Sequence, residues 1–136
     1  MIKVKAIIER GSNGTYGVYI DLDENRLDYG IIGDGNTVNE AIEDFYGCYE
    51  DMKKSFEKDH QDFQEAAFEF HYDTASFLNY ISKKITLAGL QRITGVNQGQ
   101  LSNYMNGHRR PSKRTIHKIE SSLQTFGKEI SQIQFV

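Results

Sequence analysis

Apolar positions in the first half of the chain follow two different spacings, and each spacing predicts a different kind of element. Residues 2–10 and 16–20 alternate apolar and polar side chains, as half-buried strands do, and the glycine-rich segment 11–14 between them indicates a hairpin turn. The same reasoning predicts a short third strand at 29–32 and a fourth strand at 67–73. The first half is therefore expected to contain a sheet.

A long amphipathic helix is predicted between the third and fourth strands. Thr37 and Glu40 have the spacing of a capping box, in which each side chain satisfies a free backbone N–H. Apolar residues then keep helical spacing for five turns, at Val38, Ala41, Ile42, Phe45, Tyr49, Met52 and Phe56. The order β-β-β-α-β predicts an α+β domain over residues 1–73, with the helix packed on a mainly antiparallel sheet.

Helical spacing dominates after residue 73, so residues 74–136 are predicted to form an all-α domain. One helix is expected to start at Asp73 or Thr74, and another to run from Ser112 to Gly127. The tail 128–136 fits a strand or a helix, and we favour the strand. An exposed apolar strand at this position would invite pairing with a second chain.

Two short helical patterns between Thr86 and Ser112 share one tight turn. Gly95 can take the positive φ that ends the first helix, and Asn97 can cap the second helix. Val96 is a small apolar residue that can pack between the two helices. The apolar residues are Leu90 and Ile93 before the turn and Leu101 and Tyr104 after it. This pattern is typical of a helix-turn-helix.

The second of these helices would present an outward face of amides and hydroxyls that carries almost no charge. Because glutamine and asparagine can bond bidentately to adenine in the major groove, such a face suits the reading of base edges. We predict that the base-reading residues are Gln98, Gln100 and Asn103, with Gly99 allowing close approach to the DNA.

A basic loop follows this helix and leads into the next one. Arg109, Arg110, Lys113 and Arg114 crowd the start of that helix, where the helix dipole disfavours cations. A DNA phosphate would resolve the conflict, since it accepts from both the cations and the free N–H groups. The predicted phosphate contacts are Asn97, Asn106, Gly107, His108, Arg109, Arg110 and Lys113.

These motifs resemble the Cro- and phage-repressor-like helix-turn-helix family, over about 50 residues with the flanking helices. The matching residues are Leu90, Gly95, Val96, Asn97, Gln98, Leu101, Gly107, Arg109, Pro111 and Ser112. Gln91 departs from the pattern, because the family usually has a small alanine there. Either the helices pack more loosely at this position or Ala88 takes the alanine's role. Such domains usually act as dimers on half-sites roughly 34 Å apart, so a homodimer or a higher oligomer is expected.

Charge divides the chain in the same place as the apolar pattern. Residues 1–73 hold 7 Lys or Arg against 17 Asp or Glu, a balance of −10, and residues 74–136 hold 9 against 2, a balance of +7. The basic half suits nucleic acid, while the acidic half suits a basic protein or solvent. The absence of an 18-residue apolar run and of a signal pattern predicts a cytoplasmic protein without membrane contact, and the single Cys48 excludes an internal disulfide.

The first half is similar to HicB-type antitoxins. The similarity lies in the segments G-T-Y-G-V-Y-I-D-L at 14–22 and G-D-G-N-T-V-N-E-A-I-E-D at 33–44. It implies a degenerate, catalytically inactive ribonuclease-H-like domain joined to a DNA-binding domain. It also implies a small basic HicA-type mRNA-cleaving ribonuclease as partner and repression of the protein's own operon. Residues 20–25 depart from the family, which usually has Pro-Asp-Leu-Pro-Gly-Cys there.

No catalytic or metal site is predicted. Asp21, Asp23, Asp28 and Asp34 lie in predicted loops without a partner acid at a recognisable spacing, so they read as solvated acids rather than metal ligands. The four histidines show no metal-ligand spacing with Cys48. We therefore expect no enzyme activity and no cofactor. The alternative to an antitoxin is a stand-alone transcription regulator whose first half only dimerises or senses a ligand.

Overall fold

The computed structural model describes residues 1–21, 23 and 26–136. The chain divides into two compact units, Met1–Asp73, here called unit 1, and Thr74–Val136, here called unit 2. Unit 1 has α+β structure and unit 2 is helical, so the predicted fold class is confirmed.

Unit 1 is a four-stranded sheet with a helix on one face. The elements are β1 Ile2–Arg10, β2 Tyr16–Ile20, β3 Ile32–Gly35, α1 Val38–Lys58 and β4 Ala66–Tyr72. The strands lie in the order β3-β2-β1-β4, and β1 pairs antiparallel with β2 but parallel with β4. The sheet is thus mainly antiparallel, as predicted, with one parallel pair across the chain's crossover through α1.

The core of unit 1 lies between the sheet and α1. Val4, Ala6 and Ile8 alternate inward along β1 and are buried, as is Phe45 of α1. The Phe45 ring meets the Phe68 ring of β4 edge-on at a centroid distance of 4.8 Å. Thr37 caps α1 by accepting from the Glu40 N–H, while the Glu40 carboxylate reaches back to the Asn36 N–H at 2.8 Å. The predicted capping box therefore extends one residue further back than usual.

The predicted position of the third strand is wrong by three residues. Residues 29–31 lie outside the ladder, because the Tyr29 ring stacks on Phe63 at 4.7 Å and its hydroxyl donates to the Gln64 carbonyl. The strand is instead the glycine-containing segment Ile32–Gly35. A Cβ atom on Gly33 would come within 2.7 Å of the Phe45 Cα atom, so glycine here lets α1 lie directly on β3. Sequence reasoning ended the strand at residue 32 and so left these glycines outside the sheet.

Unit 2 contains the four helices α2 Thr74–Ile81, α3 Leu87–Thr94, α4 Gln98–Met105 and α5 Lys113–Ser131. They surround one core made of Leu78, Leu90, Val96, Leu101, Tyr104 and Ile119, all less than 9% exposed. Each helix contributes at least one of these side chains, and Val96 comes from the turn between α3 and α4. No helix among the described residues is both long and apolar enough to span a bilayer.

The predicted strand in the tail is wrong. Helix α5 runs through Gly127 to Ser131, with Gln132 as its C-cap, and residues 133–136 form neither a helix nor a strand. Gly127 does not have the positive φ that ends a helix, and helical spacing continues from Leu123 to Ile130. Ile133 and Phe135 are 57% and 95% exposed.

Candidate nucleic-acid interface

The turn between α3 and α4 is fixed by one glycine and one buried hydroxyl. Gly95 has φ of 73°, and its N–H donates to the Gln91 carbonyl, which ends α3 as predicted. Thr94 is only 3% exposed. Its hydroxyl donates to the Leu90 carbonyl and accepts from the Val96 N–H. Because the hydroxyl satisfies both groups, the turn carries Val96 into the core without burying an unpaired backbone group.

Two side chains cap the start of α4. Asn97 accepts at its Oδ1 atom from the Gly99 N–H at 2.7 Å, which confirms its predicted capping role. Gln91 accepts at its Oε1 atom from the Gln98 N–H at 2.8 Å. A Cβ atom on Gly99 would come within 3.0 Å of the Asn97 Oδ1 atom, so the glycine also gives the cap room. Two of the free N–H groups at this helix start are therefore satisfied.

The structure gives Gln91, which stands where the family usually has alanine, a role that sequence reasoning did not identify. Its side chain is exposed rather than packed, and it crosses the turn to hold the first residue of α4. Ala88 is exposed as well, so it does not fill an alanine position between the helices. The only available signal was a long polar residue in place of a small apolar one, because no capping rule connects residues seven apart in two helices.

The predicted base-reading residues fall into two classes. Gln98, Gly99 and Asn103 are exposed and lie on the outward side of α4, opposite the buried Leu101 and Tyr104. Gln100 is only half-exposed. Its Oε1 atom is buried and, within the part of the chain that the structure describes, accepts no hydrogen bond. The side chain would have to turn outward before it could contact a base edge.

The end of α4 has the geometry of a Schellman motif. Gly107 has φ of 75° and donates to the Tyr104 carbonyl, and the His108 N–H donates to the Asn103 carbonyl at 2.9 Å. The Arg109 N–H reaches the same Asn103 carbonyl at 3.3 Å. These bonds tie the basic loop to the outward-facing turn of α4. The predicted reading residue Asn103 and the predicted phosphate contacts therefore share one rigid segment.

The basic residues of the loop and of α5 are free to meet an anion. Ser112 caps α5 by accepting from the Thr115 N–H, and the first turn of α5 contains no acid. The cations Arg109, Arg110, Lys113 and Arg114 are exposed, and none of them forms an ion pair with a described acid. His108, Asn97 and Asn106 are exposed too. The structure thus brings all the predicted phosphate contacts to the two ends of α4 and the start of α5.

Two further contacts, which sequence reasoning did not identify, anchor α4. The Asn79 amide of α2 donates to the Ala75 carbonyl and to the Met105 carbonyl at the end of α4, at 2.9 and 3.1 Å. The Lys118 ammonium of α5 reaches the Gly95 carbonyl at 3.5 Å. Both side chains come from outside the Thr86–Ser112 motif, and they contact the end of α4 and the turn that precedes it.

The described residues of unit 1 contain no comparable group of functional side chains. The Asp21 carboxylate lies 3.6 Å from the Lys5 ammonium nitrogen and accepts from the Asp23 N–H. The Asp34 N–H donates to the Asp44 carboxylate. Among the described residues no three His, Cys, Asp or Glu side chains are grouped so that they could hold a metal ion. Lys53 and Glu65 form an exposed ion pair, which lowers the pKa of Glu65 through their hydrogen bond.

Comparison with known families agrees with this geometry. A helix-turn-helix family model matches residues 80–125, which include all of α3 and α4. No curated protein and no solved structure matched the chain. Unit 2 therefore contains a Cro- and repressor-type helix-turn-helix domain, which supports sequence-specific binding of double-stranded DNA and a role in transcription regulation.

Proposed function

We propose that this DNA-binding regulator is a HicB-type antitoxin. Unit 2 would repress the protein's own operon, and unit 1 would cover a small basic HicA-type ribonuclease. The observation that carries the DNA-binding part is the rigid link between Asn103 and the basic loop, since one carbonyl accepts from both His108 and Arg109. A helix seated in the major groove by that loop would place its amides against the bases.

Base reading is assigned to the exposed side of α4. Gln98 at the first turn and Asn103 at the second are exposed, and both are amides that can bond bidentately to adenine. Gly99 between them presents no side chain, which lets the backbone of α4 approach the groove. Gln100 joins this set if DNA draws its buried amide outward, where a base edge would provide the partner that its Oε1 atom lacks.

Phosphate contacts are assigned to the flanks of α4. Arg109 and Arg110 are unpaired cations on the loop, and Lys113 begins α5, whose N-terminal N–H groups favour an anion. Asn97, Asn106, Gly107 and His108 complete the row at the two ends of α4. These contacts would position the protein on the duplex without reading its sequence.

The antitoxin role of unit 1 is supported by fold order and charge. The order β-β-β-α-β is that implied by the resemblance to HicB-type proteins. Helix α1 carries five exposed acids, of which Glu40 and Asp44 also accept from backbone N–H groups: Glu40, Glu43, Asp44, Glu50 and Asp51. A basic nuclease would be attracted to these acids by complementary charge. We propose further that unit 1 has no ribonuclease activity of its own and that the protein needs no cofactor.

One feature favours the second candidate, a stand-alone regulator that senses a ligand. Unit 1 has an open cavity of about 740 Å³ whose lining includes Tyr19, Tyr29, Ile31 and Cys48. This volume lies within the usual range of small-molecule sites. Co-purification from native extract separates the two candidates. A short lysine-rich nuclease that is silenced by the protein supports the antitoxin, and repeated recovery of the protein without one supports the ligand sensor.

Two substitutions test the assignment of DNA contacts. Gln98→Ala should cost about 1–3 kcal/mol at the cognate site and relax base choice, because a bidentate base contact is lost. Arg109→Ala should weaken binding to every sequence and reduce the salt slope by about 1. Titration of selected and random duplexes at several salt concentrations measures both effects. Equal, sequence-independent losses from the two variants would refute this division of roles.

A further inference from the structure

Strand β4 is an edge strand of the sheet in unit 1, and no described strand pairs with its outer side. It spans seven residues, Ala66–Tyr72, and lies beyond β1 in the order β3-β2-β1-β4. Natural proteins usually blunt such an edge with proline, lysine, a bulge or a very short strand. The segment A-A-F-E-F-H-Y contains neither proline nor lysine, and its register with β1 is unbroken over seven pairs.

The backbone hydrogen bonds show which residues of β4 direct their N–H and C=O groups away from β1. The Glu65 carbonyl accepts from the Ile2 N–H, and the Asp73 N–H donates to the Ile8 carbonyl. Because backbone groups alternate sides along a strand, odd-numbered residues of this segment turn toward β1 and even-numbered ones turn away. Phe68 and Phe70 therefore point their N–H and C=O groups out of the sheet, where no described strand pairs with them.

We propose that β4 pairs with β4 of a second copy, antiparallel and centred on Phe70. Every two-fold register centred on a residue of β4 places outward-facing residues opposite each other, and the three that pair at least five of its seven residues are centred on residue 68, 69 or 70. A centre at 69 would place Glu69 against its own copy, and like charges directly opposite are destabilising. A centre at 68 would place Glu69 against Ala67. A centre at 70 places Glu69 against His71 of the second copy, twice, so the edge is complementary to itself in that register alone.

Side chains on both faces of the sheet support this register. Glu69 and His71 are exposed and would form non-hydrogen-bonded pairs, in which side chains approach most closely. An imidazole N–H can donate to a carboxylate across such a pair. On the helix side, the half-buried Phe70 ring lies 5.8 Å from the ring of Tyr46, which is 42% exposed. The pairing would cover these rings with their copies from the second chain.

The proposal rests on the proposed function in one respect, since an operator with two symmetric half-sites requires a symmetric protein dimer. The pairing itself needs no DNA and can be tested without it. Sedimentation of the full-length protein over a range of concentrations should show a monomer–dimer equilibrium. Glu69→Lys or His71→Glu alone should raise the dimer dissociation constant about tenfold or more, because each removes the two Glu69–His71 hydrogen bonds, and His71→Glu also places carboxylates opposite each other.

The double variant Glu69→Lys with His71→Glu should restore the dissociation constant to within about threefold, since an ammonium and a carboxylate then lie opposite each other in both pairs. Asp51→Lys, which reverses an exposed charge on α1, serves as the matched control and should leave the equilibrium unchanged. Failure of the double variant to recover would overturn the proposed register. A protein that stays monomeric at every concentration would overturn the pairing itself.

Cross-linking provides a measurement that does not depend on charge. In a Cys48→Ser background, a mixture of the Glu69→Cys and His71→Cys proteins should form an intermolecular disulfide far more readily than either protein alone. Cβ atoms of opposite residues lie about 4.5–5.5 Å apart, close to disulfide geometry. Efficient cross-linking of Glu69→Cys with itself would instead indicate the register centred on 69 and contradict the proposal.

The exposed tail is the competing interface. A chain that ends at residue 132 lacks Ile133 and Phe135 but keeps β4 intact, so it should dimerise as the full chain does. Loss of the dimer on this truncation alone would overturn the proposal. If the dimer forms as described but binds no duplex, the proposed function fails and the β4 pairing stands.

Discussion

Glycine has a different physical role in each half of this protein. In unit 1, Gly33 and Gly35 lie beneath α1, where a Cβ atom on Gly35 would come within 2.6 Å of the Ala41 nitrogen. In unit 2, Gly95 and Gly107 have φ of 73° and 75° and end α3 and α4. Gly33 and Gly35 are therefore needed for the space that they leave to α1, whereas Gly95 and Gly107 are needed for their backbone conformation.

The difference reflects how each unit is assembled. A helix that lies on a sheet needs close approach over a wide area, so a single added carbon atom can separate the layers. Four short helices need sharp, defined turns, and each turn needs one residue with positive φ or a cap. The two units should therefore respond differently to the same kind of substitution, from glycine to alanine.

The largest effect is expected from Gly33→Ala. The added Cβ would overlap the backbone of Ala41 and Phe45, which cannot move as the end of a flexible side chain can. Forcing α1 off the sheet should destabilise unit 1 by about 3 kcal/mol. Gly47→Ala is the matched control on α1, where no described atom lies within 4 Å of the added carbon, and should stabilise by about 0.5–1 kcal/mol. Hydrogen exchange resolved by peptide would report each unit separately, and equal protection in both variants would contradict the packing argument.

A smaller loss is expected from Gly95→Ala in unit 2. There the nearest atoms to the added carbon are the end of the Lys118 side chain at 3.4 Å, so space is available and only the positive φ is unfavourable. That conformation should cost about 1–2 kcal/mol for a residue with a side chain. Gly127→Ala on α5 is the control and should stabilise by about 0.5–1 kcal/mol. Thermal unfolding of unit 2 checks both, and a loss as large as that of Gly33→Ala would mean that volume matters at the turn too.

Gln91 allows capping to be separated from DNA contact. Gln91→Ala removes the acceptor for the Gln98 N–H and should destabilise unit 2 by about 1 kcal/mol. Gln91→Glu keeps the acceptor, so stability should be retained, but its negative charge at the start of α4 should repel phosphate and weaken DNA binding more than alanine does.

The control for the added charge is Gln124→Glu on α5, an exposed glutamine eleven residues after Lys113. It should change DNA binding less than Gln91→Glu does. Unfolding curves and duplex titrations on the same samples would measure the two properties. Weaker DNA binding by Gln91→Ala than by Gln91→Glu would show that the affinity depends on the cap and not on the charge.

The smallest expected effect is a pH dependence in unit 1. Burial, with nearby Tyr49 and the acids Asp28 and Glu65, raises the pKa of Tyr29 from 10.0 to about 12. Since the folded pKa lies above the unfolded one, this contribution to stability is present below pH 10.0 and is lost as the pH rises toward about 12. Tyr29→Phe should flatten the decline across that window in denaturant unfolding, and an unchanged slope would contradict the assignment.

Much of this protein was determined by local sequence. The periods of apolar residues predicted the helix α1 and the strands β1, β2 and β4, because each pattern is a property of one element. Thr37 and Asn97 cap their helices as predicted, and Gly95 takes the positive φ expected of it. These signals involve residues at most a few positions apart, so the chain alone expresses them.

Tertiary structure decided the features that depend on distant partners. Whether the glycine-containing segment 32–35 joins the sheet depended on α1 lying above it, and α5 continued past its predicted end at Gly127 as far as Ser131. The Gln91 cap and the open edge of β4 likewise appear only when separate elements meet. Local patterns express the preferences of one element, whereas contacts between elements depend on where folding places each of them.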